Sequence, residues 1–94
     1  MKIIKLEFEK TLTRLAGNPF GVKVFSEQVE SNIDWNELNK IIFPEQINRI
    51  AISFIQGFAK EILKRIDKND IEKVFDFEVS SEELKEKIIS SIKF

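Results

Sequence analysis

Over residues 4–9, Ile4, Leu6 and Phe8 alternate with Lys5, Glu7 and Glu9, and a period of two is the pattern of a half-buried β-strand. Thr11-Leu12-Thr13 either extends that strand or turns back as a hairpin partner. Arg14-Leu15-Ala16-Gly17 carries no alternation that decides between them. Asn18-Pro19 reads as a helix start, because asparagine can accept from the orphan amides of a first turn and proline at the first position gives up no needed donor. The spacing predicts a helix over residues 19–31. Phe20, Val24 and Gln28 or Val29 fall on one stripe with Phe25 beside it, while Lys23, Glu27 and Glu30 face water. Gly21 costs helix propensity there and so points to closely packed backbone.

Asp34 and Glu37 have the spacing of a capping box over one short turn, with Trp35 placed to cover the edge of the core. Lys40-Ile41-Ile42-Phe43, stopped by Pro44, is a short continuous apolar run. It predicts a central strand buried on both faces. A second helix is predicted over residues 53–66, with Ser53 and Gln56 as its capping box and Phe54, Phe58, Ile62 and Ile66 as its apolar line. Gly57 inside it points again to close packing. Phe75, Phe77 and Val79 alternate with Asp76 and Glu78 as a strand with one wet face, suited to a sheet edge. Ser80 and Glu83 then cap a terminal helix carrying Leu84, Ile88, Ile89 and Ile92. This order predicts an α/β sandwich of three to four strands, mixed but largely parallel, with three helices and right-handed crossovers.

Composition narrows the function more than the fold. At 94 residues the chain has room for one core, so residues 1–94 are expected to form a single domain. Nine phenylalanines, one tryptophan and no tyrosine predict a phenylalanine-rich core. Fifteen basic and sixteen acidic residues are interleaved to a net charge of −1, without the basic face that nucleic-acid binding needs. The densest basic stretch, Lys60, Lys64, Arg65 and Lys68, is broken by Glu61 and Asp67 and reads as a solvated helix face. The absence of cysteine and histidine removes disulfides, thiol catalysis, the commonest metal ligand and the commonest neutral-pH base.

Glu82-Glu83 fall in a helix's opening turn and Asp76 with Glu78 on a wet strand face, with no partner to divide acid and base roles. Three glycines cannot build a phosphate loop. No catalytic residue, metal or cofactor is expected. The alternating N-terminus has no signal-peptide core, and no run approaches the ~18 apolar residues of a membrane span. A cytoplasmic protein without membrane association is the expectation.

Ser53 is the sharpest local feature: a hydroxyl at a helix head after the central strand, at the sheet edge where α/β proteins bind ligands and partners. The stretch Ala16-Gly17-Asn18-Pro19-Phe20-Gly21-Val22-Lys23-Val24-Phe25, the strand at Lys40 to Phe43, and Ser53-Phe54-Ile55-Gln56-Gly57-Phe58-Ala59-Lys60-Glu61 together resemble the STAS-like domains of unknown function found in bacteria and their mobile elements. Those domains are similar to anti-sigma factor antagonists. The resemblance covers roughly residues 12–66 and implies a non-catalytic regulatory module. It further implies a histidine-kinase-type ATPase or anti-sigma-like kinase as partner, with Ser53 as the phosphorylated switch. Ile52 stands before Ser53 where the antagonists carry an acid. The expected partner-binding residues are Glu45, Gln46, Asn48, Arg49, Ser53, Phe54 and Gln56, with Phe54 or Ile55 as apolar anchor. A second reading, from size and mild acidity, is a phage or mobile-element inhibitor that binds a host defence protein. The edge strand over residues 75–79 also offers an unpaired ladder for a homodimer.

Overall fold

The apolar run before Pro44 does form the middle strand of a sheet. The computed structural model describes residues 1–94. In chain order the elements are β1 (Lys2–Lys5), β2 (Arg14–Leu15), α1 (Asn18–Val24), β3 (Asn39–Ile42), β4 (Arg49–Ile50), α2 (Ile52–Ala59), α3 (Ile62–Arg65), α4 (Ile71–Val74), β5 (Phe75–Glu78) and α5 (Glu82–Lys93). The main sheet has the order β1-β3-β5, so β1 and β5 are its edges. Lys2 to Lys5 pair with Asn39 to Ile42, which pair in turn with Phe75 to Glu78. Both ladders are parallel, as is the two-residue ladder of β2 with β4, so the sheet that was expected to be mixed has no antiparallel pair. The α/β sandwich stands, with five helices in place of three.

Successive parallel strands added on one side of a sheet send both crossovers over the same face when each has the usual right hand. Burial follows that rule. Ile4, Leu6, Ile41, Phe43, Phe75 and Phe77 point into the core, while Ile3, Lys5 and Glu78 are exposed and Lys40, Ile42 and Asp76 half-buried on the other side. The central strand is therefore buried on one face and only half covered on the second, a correction to the two-sided burial expected of it.

One hydrophobic cluster of 21 residues fills the space under the helices, and Phe25, Phe43, Phe54, Phe58, Phe75 and Phe77 lie within it. Its densest seam joins α1 to α2. A Cβ at Gly21 would fall 2.1 Å from the Phe54 carbonyl oxygen, and one at Gly57 would fall 2.0 Å from that of Asn18. Both glycines are there because each helix touches the other's backbone. Beside them Phe20 meets Phe54 and Phe25 meets Phe58, each with ring centroids 5.6 Å apart.

Local starts and stops depart from the sequence signals where tertiary partners compete. The first residue of α1 is Asn18 and its cap is Gly17, whose φ of +96° suits glycine alone. After Val24 the helix widens into a π turn over Phe25–Val29 and closes with a 3-10 turn over Glu30–Asn32. The wide turn buries Phe25 and Val29 and lets the Gln28 carboxamide bond both backbone groups of Glu7, at 2.7 and 2.9 Å. Gln28 thereby takes over where β1 leaves its ladder. The second long helix breaks at Lys60-Glu61 into α2 and α3. The N-cap of α5 is Ser81 and not the expected Ser80: Ser81 accepts from the Leu84 amide at 3.1 Å, while Ser80 donates to the Ile47 carbonyl. Asp34 caps a turn and no helix.

Asn39 is the one polar side chain wholly inside. Its Oδ1 accepts from the Asp34 amide, and its Nδ2 donates to the carbonyls of Asp34, Glu37 and Val74. It fastens the turn before β3 to the residue before β5.

Candidate functional site

Residues 45–52 cross from β3 to α2, and backbone bonds fix their path. The Ile47 amide donates to the Pro44 carbonyl, those of Asn48 and Arg49 to the Thr13 carbonyl, and that of Ala51 to the Leu15 carbonyl. The Gln46 carboxamide reaches the Glu9 carbonyl at 2.8 Å. Ile47 and Ile50 are sunk in the core, so the segment is pinned at two points. Of the residues expected to meet a partner, Glu45, Asn48, Arg49, Ser53 and Gln56 are exposed and Gln46 is half-buried.

Phe54 does not belong with them. It and Ile55 are 1% and 2% exposed, because α2 turns that side onto α1 and the core. The apolar side chain presented outward is Ile52, 52% exposed. The expected capping box is also absent. Ala51 is the cap of α2 and supplies no side-chain bond, while the Ser53 hydroxyl accepts from the Gly17 amide at 3.0 Å. Ser53 therefore ties the start of α2 to the start of α1, and its own proton stays free to donate.

A groove of about 630 Å³ opens beside the same segment and shares Asn48 and Arg49 with it. Arg14 and Arg49 are register partners in the β2–β4 ladder. With Leu15 and Ile50 turned inward, both arginines turn outward into this groove. Asn48, Ser81, Glu83 and Lys87 line it too, the last three from the head of α5. Neither arginine nor Lys87 takes part in an ion pair. Three cations thus share the groove with one carboxylate. None of these three stood out as part of a basic cluster, since they are far apart in the chain. The signal for two of them is a repeated triplet ahead of each helix, Arg14-Leu15-Ala16 and Arg49-Ile50-Ala51. The obvious basic stretch is engaged elsewhere: Lys64 pairs with Glu61 at 3.1 Å, and the Arg65 guanidinium lies 4.8 Å over the Trp35 ring.

On the open face of the sheet, Lys40 pairs with Glu78 and Lys85 of α5 reaches Asp76, both at 3.0 Å. The hydrogen bond that the Lys85 ammonium donates to Asp76 holds it above its ordinary pKa of 10.5, helped by the charges of Asp76, Glu82 and Glu72 and opposed by burial. No helix is long and apolar enough to cross a membrane. No protein-family model, no curated protein and no solved structure matches this chain.

Proposed function

We propose that the chain is a small non-catalytic protein-interaction module, docking through residues 45–52 and the outward side of α2. The observation that carries this is Ile52: an isoleucine 52% exposed at the end of a segment whose backbone is already bonded in place. An apolar anchor on a preordered segment loses little conformational freedom on binding, and such anchors ringed by polar groups dominate interface energies. Asn48, Ser53 and Gln56 supply that ring.

The resemblance over residues 12–66 supports placing the module with STAS-like regulators, whose partner class is a histidine-kinase-type ATPase or anti-sigma-like kinase. Ser53 suits the switch position because its hydroxyl is exposed. Phosphorylation there would put a dianion next to the Gly17 amide, beside the anchor.

The test is affinity capture from a bacterial lysate with the wild type, Ile52→Asp and Ser53→Glu, each confirmed folded by its thermal melt. The docking reading expects partners recovered by the wild type to be lost with Ile52→Asp. Equal recovery by both overturns it. Equal recovery by Ser53→Glu retains docking and removes the switch.

A further inference from the structure

We infer that the groove between the β2–β4 ladder and the head of α5 is a binding site for a phosphate monoester. The site goes beyond the docking surface, since Arg14 and Lys87 lie outside it and Ile52 does not line the groove.

The in-register arginines carry the argument. Like charges directly paired across a ladder repel, at a cost of a few tenths of a kcal/mol to ~1 kcal/mol. The ordinary remedy is a neighbouring carboxylate. Here the cation pair has none: no acid lies within ion-pair distance of Arg14, Arg49 or Lys87. A tetrahedral oxyanion is the ligand that two guanidinium forks held side by side recognise, because each fork offers paired N–H donors to paired oxygens.

The surroundings favour a dianion over a carboxylate. Lys87 adds a third cation from the opposite wall, and Glu83 leaves the lining at a net charge of +2, which a phosphate monoester neutralises. Asn48 supplies a carboxamide, and the Ser81 hydroxyl, which accepts from the Leu84 amide, keeps its proton to donate. The volume of about 630 Å³ is in the range of small-ligand sites. The backbones of Arg14 and Arg49 are fixed by the ladder and by the bonds to the Thr13 and Leu15 carbonyls, so the forks begin from anchored positions.

The experiment is a titration of isotope-labelled protein with O-phosphoserine, followed by amide and guanidinium NMR shifts. Expected shifts cluster at Arg14, Asn48, Arg49 and residues 81–87, and Arg14→Gln and Arg49→Gln each weaken binding about tenfold or more. Glu83→Gln should tighten it about two- to threefold by removing the groove's only acid. Lys60→Gln with Lys64→Gln should leave it unchanged, as should Ile52→Asp, which separates this site from the docking surface. A phosphoserine peptide that binds more tightly than the free amino acid identifies the source as a modified partner protein, and equal binding identifies a small phosphorylated molecule. No shifts, shifts spread over all lysines, or equal weakening by the Lys60 and Lys64 changes would overturn the site. The spectra report folding directly, so a variant that unfolds is replaced by the lysine substitution at the same arginine, which keeps the charge and loses the fork.

Discussion

The Gly17 amide donates to the Ser53 hydroxyl at 3.0 Å, so the cap residue of α1 is bonded to the second residue of α2. Ser53→Ala removes that acceptor. The expected loss is about 1 kcal/mol of stability. An N-cap would cost a similar amount, so the discriminating measurement is amide hydrogen exchange: Gly17 should lose protection while the first turn of α2 keeps its own. Fraying of α2 with Gly17 unchanged would contradict the bond.

Gly57→Ala should destabilise the protein even though alanine is the better helix former by about 1 kcal/mol. The added methyl would meet the Asn18 backbone 2.0 Å away, and backbone cannot rotate aside as a side chain can. Overpacking of this kind costs about 1–3 kcal/mol or more, which outweighs the propensity gain. Gly21→Ala, against the Phe54 carbonyl at 2.1 Å, should behave alike. Urea midpoints for the two variants provide the check, and a rise in either would mean that the helices separate more easily than their packing implies.

Asn39→Leu keeps the size of the side chain and removes four hydrogen bonds. The Asp34 amide and the Asp34, Glu37 and Val74 carbonyls lose a fully buried partner, in a place that is itself part-buried. A loss of about 2–3 kcal/mol is expected, since orphaned buried polar groups cost more than a bond contributes. Thermal unfolding measures it. A variant as stable as the parent would show that water satisfies those groups.

Elements whose burial repeats locally could be read from residue order: the alternation at Phe75 and Phe77, the apolar run at Ile41 and the stripe at Leu84, Ile88 and Ile92 all appear as structure. What escaped was decided across the chain. Ser53 has the form of a cap, but the Gly17 amide claims its oxygen. Phe54 has the form of an exposed anchor because α2 is apolar on more than one side, and only the crossing with α1 shows which side is covered. Asn39 stands just ahead of the apolar run and looks like a flanking polar residue until the turn and β5 close around it. The groove was least visible, since a two-residue ladder has no periodicity and Arg14 meets Arg49 only when both crossovers have formed.

The Lys85–Asp76 pair gives the fold a dependence on alkaline pH whose sign follows from the direction of the shift. The folded protein holds the Lys85 proton above its ordinary 10.5, chiefly through the Asp76 hydrogen bond, whereas the unfolded chain releases it at the ordinary value. Below that value both states are protonated and the pair contributes in full. As pH rises through the folded value, the native state has more protons to lose and stability falls. Lys85→Met should therefore lower the melting temperature at neutral pH and flatten its decline over the alkaline interval above about pH 10.5. Both side chains are about one-third exposed, which keeps the effect modest and makes it shrink in salt. Melting curves of the two proteins that run parallel through that interval would show that the ammonium is no better held in the fold than in the open chain.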